Sequence, residues 1–162
     1  MEILKLKLEK FNELLKVLNK EKEYEFRLDF YSDVISIVED KPLSEIENME
    51  FEEHNKLFGS IWNELSKIND YKSFPNEVRI GTETFYTNAV NNGFSFKTKE
   101  FRLIQEIVGK SDYIFDFAAI IWKEKDGLLT KEAIDIRKEK LKILEAGNII
   151  SYINKLSEYL IK

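Results

Sequence analysis

The hydrophobic positions fall mostly at helical spacing. Leu4, Leu8, Phe11, Leu15 and Leu18 recur at alternating steps of four and three and share one stripe, with Lys10, Glu13 and Lys16 turned away. This predicts an amphipathic helix over 2–19. The segment 21–39 carries two patterns. Tyr24, Leu28, Tyr31, Ile35 and Val38 continue the helical spacing, while Tyr24, Phe26, Leu28 and Phe30 alternate with Glu25, Arg27 and Asp29 as a half-buried strand would. The helical pattern is the longer, and it predicts an N-terminal helical hairpin within 1–39, turning near Asn19-Lys20.

Pro42 marks a break, and Ser44 with Glu47 has the spacing of a capping box. A helix follows to about residue 69, with an interruption near Asn48-Met49 allowed for. Its expected buried stripe is Leu57, Phe58, Ile61, Trp62, Leu65 and Ile68. Residues 70–98 are the least helical part. Ser73-Phe74-Pro75-Asn76 is turn chemistry, the Val, Ile, Thr, Phe and Tyr that follow suit strands, and Asn91-Asn92-Gly93 suits a tight turn. A hairpin pairing 83–90 with 94–98 and a helix over 77–90 both fit.

From 99 onward the pattern is helical again. A short helix over 99–108 stops at Gly109, and Ser111 caps a helix to about 125 that is apolar almost all round, the mark of a buried centre. Thr130 caps a helix over 131–146, with Gly147 as its C-terminal glycine. Asn148 then caps a last helix over 149–161. The expected fold is mainly α: a single domain, 1–162, built as a bundle of about six helices, with a small β-hairpin inside 78–98. The competing architecture is α+β with a small antiparallel sheet, 23–31 supplying a third strand.

Composition narrows the chemistry. The chain has no cysteine and one histidine, His54, which removes disulfides, thiol nucleophiles and zinc sites built on Cys or several His. Lys, Ile, Asn, Phe and Tyr are abundant while Arg, Gly and Pro are scarce, as an A/T-rich genome would give, so the aromatic and lysine counts carry little functional weight. The N-terminus has no uninterrupted apolar stretch like that of a secretory signal. The longest strictly apolar run, Phe117–Trp122, is far too short to span a bilayer. A soluble, cytoplasmic protein without membrane attachment is expected.

No glycine-rich phosphate loop or nucleophile elbow is present, and neither a cofactor nor a metal-ligand set is implied. His54 with Glu50 reads as an exposed helical pair. Asp116, which interrupts the apolar stretch from Tyr113 to Trp122, reads as an edge residue or a partner of one of the four arginines.

Charge distribution changes this picture most. The net charge of −5 disfavours nucleic acid as a partner, and it is not spread evenly. Residues 21–53 hold twelve Asp or Glu against three Lys or Arg, a net −9, while the rest of the chain sums to +4. Aromatic residues are interleaved with these acids. An acidic, aromatic-bearing face of this kind fits a basic protein partner, and the candidate binding residues are Tyr24, Phe26, Asp29, Asp33, Glu45, Glu47, Glu50, Glu52 and Glu53. The expected function is a protein-interaction or inhibitor domain such as an immunity protein, an antitoxin or a phage-encoded inhibitor. A carboxylate- and Mg²⁺-dependent enzyme, or a helical protein that self-associates through the Leu4–Leu18 stripe, are the alternatives.

Overall fold

A computed structural model describes residues 2–90, 93–107, 110 and 112–161. The fold is mainly α with small antiparallel hairpins, eight α-helices lying among the described residues. No helix among them is long and apolar enough to cross a membrane.

The N-terminal stripe is divided. Ile3–Lys5 forms a 3-10 turn, and α1 begins only at Leu8 and runs to Asn19 (Leu8–Asn19). Leu6 and Leu8 are taken up by strand-like bonds to the far end of the chain: Leu8 N donates to Leu144 O at 2.8 Å and Ala146 N to Leu6 O at 2.8 Å. Helix α2 spans Arg27–Glu39, shorter than the periodicity predicts. Its expected first turn is a 3-10 turn at Glu21–Glu23 followed by extended backbone, so 23–31 does not form a strand. The cause is Tyr24, whose ring packs edge-on to Phe30 and whose hydroxyl donates to Asp33 at 2.5 Å. On a continuous helix residues nine apart lie about 13.5 Å apart along the axis, out of reach of that bond. Asp40 ends α2 with a left-handed φ of 52°, a conformation aspartate tolerates, and Lys41 N closes the turn on Ser36 O. The ion pair of Lys10 with Asp40 at 3.2 Å joins the start of α1 to the end of α2, which makes the two helices antiparallel.

The predicted 44–69 helix is two helices, α3 (Leu43–Glu47) and α4 (Phe51–Ser66), broken at residues 48–50 where an interruption was allowed for. The expected Ser44–Glu47 capping box is not made. Pro42, with φ −63°, starts α3 one residue earlier and places Ser44 inside it. Of the stripe predicted on α4 only Ile61 is fully buried, and Trp62 is exposed.

Two hairpins replace the single one expected. β1 (Glu77–Ile80) pairs with β2 (Glu83–Tyr86), and β3 (Ala89–Val90) with β4 (Gly93–Phe94). Gly81, with φ 61°, supplies the first loop position of the β1–β2 turn. Asn91 and Asn92, the expected turn, lie outside the described residues, as do Gly109 and Ser111.

Helix α5 (Thr98–Ile107) packs on α6 (Tyr113–Ile121), the centre of the domain as its all-round apolar sequence predicts: Ile114, Phe117, Ala118, Ala119, Ile120 and Ile121 are all buried. α6 stops four residues short of the expected end because Trp122 turns extended and Lys123 pairs with Tyr86, the two backbones exchanging bonds of 2.7 and 3.0 Å. Helix α7 (Lys131–Leu141) is capped as predicted, Ala133 N donating to Thr130 Oγ1 at 3.2 Å. It ends before the expected 146, and α8 (Ala146–Ile161) begins before the expected cap at Asn148. Gly147 is therefore not a C-terminal cap. It sits in the first turn of α8, where a Cβ would come within 2.9 Å of Leu4 O, so its role is close approach to the N-terminal turn.

Candidate functional site

Part of the acidic block comes together where the N-terminal half of α2, α3 and the first turn of α4 meet. Leu28, Asp29 and Ser32 of α2, Glu47 of α3, and Phe51 and His54 of α4 meet around a cleft of about 260 Å³. The spacing explains the convergence: residues three and four apart on a helix share a face. Sequence reasoning placed Asp29 and Glu47 in the site and missed Leu28, Ser32 and His54. Nothing local in the sequence marks Ser32 and His54 as facing each other.

His54 corrects an expectation. It is buried, 4% exposed, and its Nε2 lies 2.9 Å from Ser32 Oγ. Its Nδ1 has no partner among the described residues. The expected Glu50–His54 side-chain pair does not form, and the contact between them is His54 N donating to Glu50 O at 2.9 Å. Glu50 is the N-cap of α4 with ψ 136°, so its side chain leaves the helical face that four-residue spacing would otherwise share.

The other candidate residues are placed as follows. Phe26 is the N-cap of α2 and is 61% exposed, and Phe51 is 65% exposed. Glu52 lies two residues before buried His54, about 200° around α4, on the outer side of the helix. Glu50, Glu52 and Glu53 cluster at the N-terminus of α4, where the helix dipole favours negative charge. Glu45 pairs with Lys41 at 3.1 Å, and Asp40 with Lys10. The bond from Glu45 raises the pKa of Lys41, and Glu39 and Glu53 add to it. Among the described residues the remaining acids of the block make no ion pair, and Asp33 accepts a hydrogen bond from Tyr24.

Asp33 and Tyr24 act together. Burial, then the hydrogen bond to Asp33, pushes the Tyr24 hydroxyl up to about 12. A phenol raised in the folded state stabilises the fold fully below its unfolded pKa near 10, and that contribution is lost as pH rises through about 12. Alkaline titration of phenolate absorbance should accordingly show a late step towards about 12 that disappears in Tyr24→Phe, distinct from that of Tyr152, whose hydroxyl burial pushes higher still. Wild type should lose stability relative to that variant as pH climbs from 10 towards about 12. An unchanged late step in Tyr24→Phe would refute the assignment.

Eleven of the eighteen acids outside the block form ion pairs among the described residues. Asp116 is half-buried and pairs with Lys138 at 3.0 Å, a lysine where an arginine was one expectation. Asp112 binds Lys16 at 2.6 Å and accepts from Asn12 at 2.7 Å, and these two hold its pKa below the usual carboxylate value. No three of His, Asp and Glu converge as a metal-ligand set among the described residues.

Comparison with family models, curated proteins and solved structures returned no match.

Proposed function

We propose that this chain is a protein-interaction domain, of the kind represented by immunity proteins, antitoxins and phage-encoded inhibitors, and that it captures a basic protein on the surface formed by residues 21–53. One observation carries the reading. Nine of the twelve carboxylates in this block have neither an ion pair nor a tyrosine donor among the described residues, and Phe26, Leu28 and Phe51 of the same block are exposed, with Asp29 and Glu47 beside Leu28 and Phe51. Elsewhere Lys16, Lys123, Lys138, Lys140 and Arg137 each hold a carboxylate. Charge left open on one face accelerates encounter with an opposite surface, and aromatic anchors slow its release.

The test is capture from the native host followed by titration of the purified partner. Reversal at Glu47, Glu50 and Glu53 to lysine should weaken binding about 10-fold or more at low salt, chiefly through association rate. The loss should shrink near 1 M salt, where the screening length falls to about 3 Å. Phe51→Ala should act instead on dissociation, by about 30-fold if it is a central anchor. An acidic partner, or an affinity indifferent to the triple reversal, overturns the proposal.

A further inference from the structure

The helical stripes predict Leu15, Leu18, Leu65 and Ile68 as core. In the structure none of the four is fully buried. With Ile153 of α8 they wall a second pocket, of about 470 Å³, at the end of the bundle where α1 and α4 finish. Its depth is closed by buried Phe11, Ile114 and Ile150. This volume lies within the range of sites that enclose small ligands, and the walls are apolar as such sites require.

The polar groups around it are unequal. The Asn154 amide is committed, donating to Ile68 O at 2.9 Å and to Tyr71 O at 2.8 Å. The Ser66 hydroxyl donates to Asn63 O at 2.8 Å. Glu21 is the one formal charge on the lining, it is exposed, and it makes no ion pair among the described residues. Trp62 shares the mouth, as the outer ring of a stacked series in which Tyr31 and Phe58 lie 3.8 Å apart and Phe58 and Trp62 5.6 Å apart. A carboxylate and an indole face at the entrance of an apolar pocket both favour a cation there.

We propose that this pocket binds a small cationic amphiphile, its aliphatic or aromatic body among Leu15, Leu18, Leu65 and Ile153 and its protonated amine at the mouth against Glu21 and Trp62. The site is separate from the cleft at Asp29, Glu47 and His54, and no residue lines both.

The test titrates the full chain with n-alkylamines of increasing length, below their micelle concentrations, and reads tryptophan fluorescence. Trp122 is fully buried, so a shift reports Trp62. Affinity should rise about 4-fold per added methylene until the pocket is full, then level off. Amines should bind more tightly than alkanols of equal length, and alkanoates most weakly. Glu21→Gln should bring the amine down to the alkanol's affinity and leave the alkanol unchanged. Ser66→Phe, at an exposed helix end, should block the mouth and abolish binding of both. Reversal of Glu47, Glu50 and Glu53 should leave amine binding intact, so this proposal and the basic-partner reading fail separately. Alkanoate binding equal to amine binding, binding that survives Ser66→Phe, absence of saturable binding, or sedimentation showing that the amine only dissociates a dimer would each overturn it.

Discussion

Arg137→Ala is expected to lower the unfolding free energy by about 3–5 kcal/mol, the range found when one member of a buried charge network is removed. Arg137 is among the largest fully buried side chains, and all three of its guanidinium nitrogens are engaged. Nε donates to Glu124 Oε2 at 2.9 Å, Nη1 to Ala119 O at 2.5 Å and Nη2 to Leu128 O at 2.9 Å. Ala119 lies in the last turn of α6, whose carbonyls lack partners within the helix, so Arg137 caps the central helix from α7 and also suits its negative end. The alanine variant leaves the buried Ala119 carbonyl and the part-buried Leu128 carbonyl without their donor, and a void where the guanidinium lay. Glu124, more than a third exposed, recovers water and contributes least to the loss. Arg137→Lys keeps the charge and most of the stem, but one ammonium cannot meet three acceptors arranged for a planar fork. Its loss should be about 1–3 kcal/mol. Urea unfolding would measure both, and the alanine variant should melt roughly 10 °C lower. A lysine variant as stable as wild type would show that the fork geometry is not needed.

Arg137 also shows which parts of the fold the sequence made legible. Ile134, Arg137 and Leu141 form one helical stripe, and an arginine on an apolar stripe is a readable sign of a buried guanidinium. Most signals carried by neighbours in sequence read correctly: the all-round apolar α6, the Thr130 cap, the interruption near Asn48-Met49; the Ser44–Glu47 box is the exception, displaced by Pro42. Those set by distant contacts did not. Tyr24 leaves the helix because Phe30 and Asp33 hold its ring and hydroxyl. Gly147 answers to Leu4, more than a hundred residues away. His54 is buried because Ser32 faces it across two helices. For the candidate surface, the charge imbalance of 21–53 could be read from composition alone. Which carboxylates remain open could not, because Lys10, on the facing helix, is what removes Asp40 from the set.

A second large effect is expected at Glu100 and Lys123, and its signature is non-additivity. Glu100 is 3% exposed and Lys123 16%. Glu100 is held from two sides: Oε2 accepts Lys97 N at 2.7 Å, half of a capping box at the start of α5, and Oε1 meets the Lys123 ammonium. Lys123→Met leaves the carboxylate tethered by its cap and unable to reach water, which should cost about 3–5 kcal/mol. Glu100→Gln should cost only about 1 kcal/mol. The amide oxygen still accepts from Lys97, and a lysine stem can swing its ammonium outward. In the double variant the amide nitrogen faces Met, a smaller penalty than a stranded carboxylate. The doubly substituted chain should therefore be more stable than Lys123→Met alone, with a coupling of about 0.5–3 kcal/mol. The backbone bridge from Lys123 to Tyr86 is common to all variants, so chain connectivity between β2 and the end of α6 does not confuse the comparison. Denaturant unfolding of the three variants measures the cycle. Simple additivity would mean that the Glu100 carboxylate finds water or another donor once the ammonium is gone, and that the pair does not anchor α5 to the end of α6.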